Sequence, residues 1–177
     1  GVAEEFHVVL RCFQTHTIDT SGLDRIKKFG QHLHFQWGSK RMAEYVFELG
    51  KNKGTPFPEQ TGFSKLSMRV GSFIDKIIIN DQGFGGDGGS LTKDLYIDSD
   101  DYISMVLINH GAVVDYLHFE TRKGRKLSGG GKGGAPTTVI RGKLLGIAGE
   151  TGYFIPGAGA PLVLCKIKLR FLDPQVG

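Results

Sequence analysis

Three glycine clusters, Gly50-Lys-Asn-Lys-Gly54, Gly85-Gly-Asp-Gly-Gly89 and Gly130-Gly-Lys-Gly-Gly134, divide this chain into three passes with a period of roughly 40–45 residues. Glycine reaches 27 of 177 residues, roughly twice its usual share. It follows no collagen-like period and sits between short apolar runs, as tight loops joining strands would require. Each cluster is followed by a strand-like segment: Ser64–Val70, Tyr102–Asn109 and Lys143–Ala148. After a short turn comes a second alternating segment: Ile74–Asn80, Val114–Thr121 and Leu164–Leu172. No helical pattern follows any glycine loop. The expectation is therefore an all-β domain, closed or prism-like, with internal threefold symmetry.

Two of the turns share one spelling. Gly71-Ser72-Phe73-Ile74-Asp75 and Gly111-Ala112-Val113-Val114-Asp115 both read Gly-x-x-x-Asp and open their second strands. The third pass carries Cys165 where the others carry Asp, after an insertion at Gly152–Pro161. Residues 1–44 stand outside the repeat. Glu5–Gln14 alternates like a strand, Ser21 to about Phe29 reads as a short capped helix, and His32–Trp37 and Glu44–Leu49 read as strands.

The quoted segments SKLSMRVGSFIDKIIIN, FGGDGG, YISMVLINHGAVVDYLHFETRKGRKL and GGGKGGAP resemble a jacalin-related lectin of the mannose-binding type, over about Glu44 to Asp173. The resemblance implies a β-prism I fold: three Greek-key sheets about a pseudo-threefold axis, here as a domain over 44–177 behind a short mixed extension over 1–43. It implies carbohydrate binding without metal or other cofactor, at sites built from the turn and the glycine loop after it. Carried over residue by residue, one site comprises Gly71, Ser72, Phe73, Ile74, Asp75 and Gly89. A second comprises Gly111, Val113, Val114, Asp115 and Gly134. A third would need Cys165 and Gly54, without a carboxylate or a GGxGG loop, and is expected to be inactive. The members this chain most resembles obtain the closing strand of the third sheet by exchange between two chains. Here Glu44–Leu49 is expected to complete that sheet, within one chain or across a homodimer.

These residue types suit a sugar. An ionised Asp accepts two hydroxyl protons through charge-assisted bonds of about 1.5–3 kcal/mol each, before competition with water. Main-chain N–H groups of the turn donate back, and a glycine lets an N–H approach the ring with no Cβ in between. The most similar members place Tyr at the middle of the turn. Phe73 keeps its ring and loses its hydroxyl, and Val113 offers little face.

Composition narrows the alternatives. Net charge is +4, too small for a nucleic-acid footprint, and no apolar run reaches the roughly 18–20 residues that span a bilayer. The start, GVAEEF, has no leader pattern and fits a processed or trimmed chain. Arg122, Lys123, Arg125, Lys126 and Lys132 form the densest positive run, a solvated hairpin end or an attractor for acidic glycans. Asp94, Asp98, Asp100 and Asp101 read as an acidic loop rather than a calcium site, and His32 and His34 share one strand face. Cys12 and Cys165 are compatible with one long-range disulfide or with two buried thiols. No nucleophile–base or paired-carboxylate arrangement emerges, so no enzyme is expected. The rival to a lectin is a non-catalytic interaction module of a secreted or surface assembly, with degenerate sugar sites and a protein partner on residues 1–43. A secreted or surface location is expected in either case.

Overall fold

Period-two apolar segments fold as antiparallel strands throughout this computed structural model, which describes residues 9–11, 43–155, 157–159 and 161–177. In chain order the strands are β1 (Val9–Arg11), β2 (Glu44–Leu49), β3 (Thr55–Gln60), β4 (Lys65–Val70), β5 (Ile74–Ile79), β6 (Gln82–Gly85) and β7 (Ser90–Leu91). They continue with β8 (Leu95–Tyr96), β9 (Ile103–His110), β10 (Val114–Thr121), β11 (Lys126–Gly130), β12 (Thr137–Tyr153) and β13 (Leu162–Val176). Among the described residues there is no helix. Cys12, His7, His16, His32, His34, Trp37 and the segment expected to be helical lie outside the described residues.

Three faces repeat one Greek-key order. The first runs β6-β5-β4, with β7 and β8 sharing the far side of β4. The second runs β11-β10-β9 and ends on the first part of β12, where Thr137 faces Asn109 and Arg141 faces Met105. The third runs β2-β13-β12-β3 and uses the later part of β12, where Thr151 faces Thr55. The segment read as Lys143–Ala148 is thus the middle of a 17-residue strand. Register shifts at Arg141/Lys143 and Leu144/Gly146 mark where β12 passes from one face to the next.

Alternation turns one side of the longer strands inward. Leu66, Met68, Ile77, Ile108, Phe119 and Phe171 belong to one buried cluster shared by all three faces. Within it Phe57 stacks on Phe84 at 4.4 Å, and Phe47 meets Phe171 edge-on at 6.1 Å. Tyr45 of β2 also lies in this core.

The third face closes within one chain. β2 pairs with β13 from Leu49↔Ile167 to Glu44↔Leu172. Below that ladder, the Ala43 N–H donates to Asp173 Oδ1 (2.9 Å), and the Asp173 N–H donates to the Ala43 carbonyl (2.8 Å). Arg170 ties the face crosswise, its guanidinium 3.0 Å from both Glu44 and Glu59. Because Arg170 and Glu44 are mostly shielded, Arg170→Met is expected to cost about 1–2 kcal/mol, read as a lower urea midpoint. β1 lies on the outer edge of β2, with Leu10 opposite Tyr45, so a strand from the N-terminal segment covers that edge.

Candidate functional site

At one end of the prism the three glycine loops repeat a single backbone manoeuvre. Gly50, Gly85 and Gly130 take positive φ of 109°, 131° and 121°. A Cβ there would lie 2.1, 2.0 and 2.2 Å from the carbonyl oxygens of Cys165, Asp75 and Asp115, respectively. Only glycine allows the loop to fold this closely over the next strand's start. The Gly86 and Gly131 N–H groups then donate to the Asp75 and Asp115 carbonyls at 2.8 and 2.9 Å. The Gly-x-x-x-Asp turns match as well, with Gly71 donating to the Phe73 carbonyl and Gly111 to that of Val113, each at 3.0 Å.

The paired glycines ending two loops roof the two aspartates. A Cβ on Gly88 would fall 2.7 Å from Asp75 Oδ1, and one on Gly89 2.8 Å from Oδ2. Around Asp115 the corresponding distances are 2.9 Å for Gly133 and 2.5 Å for Gly134. Asp75 is 7% exposed and Asp115 6%. Burial pushes both carboxyls above the usual carboxylate range. At Asp75 the positive charge of Arg69 and the residue's own N–H oppose the rise, whereas Asp115 has no such counterweight. Among the described residues, no other strand or loop supplies a donor to either carboxylate.

Arg69 was not marked in the sequence. Its Nε donates to the Asp87 and Gly88 carbonyls (3.1 and 3.0 Å) and its Nη2 to that of Gly89 (3.0 Å), so one side chain holds the roof over Asp75. Asn109 takes the equivalent place in the second face, where it accepts from Thr137 Oγ1 at 2.8 Å.

The third blade has filled its own position. The Cys165 thiol is fully buried and donates to the Glu150 carbonyl at 3.2 Å. The Gly54 N–H is taken by Glu150 Oε1 at 3.1 Å, and the same carboxylate pairs with Lys166 at 3.4 Å. Lys53 stands where the other loops carry Gly88 and Gly133. With no Asp beneath it, a Cβ there has no carboxylate to strike.

Loops and turns interlock around the axis. A Cβ on Gly131 would meet the Ser72 carbonyl oxygen at 2.1 Å, and one on Gly86 that of Leu162 at 2.3 Å. The Asn52 N–H donates to the Ala112 carbonyl at 2.8 Å. Ile74, Val113 and Val114 are fully buried, so each can meet a ligand only through its main chain, while Gly71 and Ser72 are exposed. Phe73, Val113 and Val163, at equivalent turn positions, meet in a small cluster with Cys165. Phe73 is half-buried, and its ring stacks on Phe154 at 4.7 Å.

Residues 122–126 of the basic run lie at the other end of the prism, where the acidic loop pairs Lys123 and Arg125, whereas Lys132 sits on the glycine loop beside Ser72. Lys123 pairs with Asp98 and Asp100, Arg125 pairs with Asp98, and Arg122 donates to the Asp100 carbonyl while lying 5.8 Å from the Tyr102 ring centre. Among the described residues no group of His, Cys, Asp or Glu side chains is arranged to hold a metal. The letters GxGxxG at Gly83–Gly88 fall on β6 and a loop with no helix after them.

The family described as jacalin-like lectin domain matches residues 46–160. Griffithsin from Griffithsia sp. is 36% identical over 109 residues, which cover 61% of this chain and 88% of that protein. Among solved structures, Malaysian banana lectin superposes with a TM-score of 0.56 at 18% identity, covering 70% of this chain and 94% of the lectin. Artocarpin, in its mannopentose complex, gives a TM-score of 0.53 at 17% identity, covering 71% and 94%. With the family match spanning well over half its length and the prism and its glycine-roofed turns in place, this chain belongs to the jacalin-like lectins, non-catalytic carbohydrate-binding proteins.

Proposed function

We propose that the chain recognises mannose-type glycans, without a metal, at two sites. The first is Asp75 with Gly71, Ser72, Phe73, Ile74 and Gly89; the second is Asp115 with Gly111, Val113, Val114 and Gly134. The observation that carries this reading is a pair of buried carboxylates whose acceptor capacity the protein leaves almost unused. Carboxylate oxygens that the protein's own donors leave unused, at the mouth of a glycine roof, are open to donors from a ligand. Vicinal pyranose hydroxyls are such donors, each donating to one carboxylate oxygen, while loop N–H groups donate back to the sugar. Artocarpin's complex with mannopentose supports the choice of sugar class.

A single residue on so open a site binds with a Kd on the order of millimolar to tens of micromolar, so clustered glycans engage both sites by avidity. Acidic glycans are a weaker reading, because the acidic loop already pairs Lys123 and Arg125 of the basic run. Residues 1–43, lying before the prism over 44–177, are the part we assign to a protein partner or to self-association. A secreted or surface location would bring both sites to displayed glycans.

The test is a glycan array followed by titration with methyl α-mannoside. Mannose-terminated glycans should be retained and galactose-terminated ones not. The hydroxyl donors need the ionised carboxylate, and both carboxyls titrate above their usual range. Affinity should therefore start to fall before the ordinary carboxylate range is reached from neutral pH, and vanish below it. Silence across the array, or affinity unchanged through that range, would refute the reading.

A further inference from the structure

Two adjacent large apolar side chains, Phe154 and Ile155, are 41% and 62% exposed at the tip of the β12–β13 hairpin. They are held outward by a braced tip. The Phe154 ring rests on Phe73 at 4.7 Å and an interplanar angle of 30°. Asn52 Nδ2 donates to the Tyr153 and Phe154 carbonyls at 3.1 and 2.9 Å. The brace fixes what surrounds the tip, because Asn52 is flanked in sequence by Lys51 and Lys53, both exposed. Lys132 is exposed on the glycine loop packed against Ser72, at the same end of the prism.

Charge at this end is one-sided. Among the described residues none of Lys51, Lys53 and Lys132 forms an ion pair, whereas nearby acids are engaged or withdrawn. Asp87 pairs with Lys76, Glu150 pairs with Lys166, and Asp75 and Asp115 are buried. The other end is different, since Lys123 and Arg125 meet Asp98 and Asp100.

An apolar tip braced by the loop that carries Lys51 and Lys53, with Lys132 at the same end, matches the layered chemistry of an anionic lipid surface, with charge at the headgroups and hydrocarbon just beneath. We propose that this end of the prism docks on anionic membranes. Phe154 and Ile155 enter the acyl boundary, and Lys51, Lys53 and Lys132 lie among the headgroups with their stems along it. An acidic polysaccharide would satisfy the lysines but leave Ile155 in water. The inference does not depend on the sugar reading, though both aspartate sites share this end and would face glycans on the same surface.

The test is flotation of the full chain with vesicles free of glycolipid, made of phosphatidylcholine alone or with about one third phosphatidylserine. Binding to the anionic vesicles should exceed that to neutral ones by about tenfold or more. Phe154→Ser with Ile155→Ser should lose about tenfold in partitioning, and Lys51→Glu, Lys53→Glu and Lys132→Glu together should lose at least as much. Because serine uncovers Phe73, a companion with Phe154→Leu and Ile155→Leu keeps the packing and should retain binding. Asp75→Ala should bind vesicles as the parent does. Absence of binding to anionic vesicles would overturn the proposal. So would loss with the lysine changes but not the serine ones, with heparin competing, which would make this end a polyanion surface instead.

Discussion

Asp75→Ala is expected to weaken methyl α-mannoside binding at its site by about a hundredfold, with a thermal midpoint unchanged or raised at neutral pH. The two effects share one cause. Two charge-assisted bonds from sugar hydroxyls vanish together, and losing about 3 kcal/mol takes a micromolar-to-millimolar site out of measurable range. The carboxylate is also a burden on the empty protein. Its pKa is raised in the fold, chiefly by burial, so it contributes stability below its unfolded pKa and loses that contribution as pH rises through the folded one. At neutral pH the ionised group is buried with little compensation, and removing it relieves the fold. The variant's advantage should shrink as pH is lowered. Calorimetric titration and thermal melts across pH check both halves, and undiminished affinity would remove Asp75 from the site. Asp115→Ala should behave alike at the second site, and the double change should clear the array.

Gly85→Ala is expected to cost about 4 kcal/mol, large enough to leave the chain partly unfolded at ambient temperature. The new methyl would sit 2.0 Å from the Asp75 carbonyl oxygen and 2.8 Å from the Lys76 Cα, both main chain and unable to swing away, at a φ of 131°. Gly62→Ala is the control. Its φ is also positive, at 64°, but nothing lies within 4 Å of the added carbon, so about 1 kcal/mol is expected. Denaturant midpoints for the pair separate steric closure from backbone preference. Equal losses would mean that the loop gives way.

Much of this was legible because the repeat is written in residue types with narrow backbone roles. Val114–Thr121 folds as the strand its alternation announces, and the second strand of the first pass departs only by ending at Ile79 rather than Asn80. Pairing each Asp with the glycines of the following loop also agrees with their placement, since Gly89 and Gly134 stand over Asp75 and Asp115. Long-range partners left less trace. β6, β7 and β8 are too short and too polar or glycine-rich to carry a period, and exist because β4 and β5 offer them edges. Arg69 looks like any strand arginine until the loop is folded above it. Glu150 is distant in sequence from the glycine it satisfies, and no local pattern could announce that contact. Charge runs mislead in the same way: the cations of 122–125 read as a patch only while the acids of 98–100 are considered apart from them.

The clasp between Ala43 and Asp173 has a consequence for how such a prism can be carried by a longer polypeptide. Chain enters β2 beside Asp173, and β13 runs three residues past that clasp, to Val176 opposite Ile140 on the start of β12. A domain with that geometry can be spliced into a surface loop of a host protein without stretching the host, or strung in tandem with short spacers.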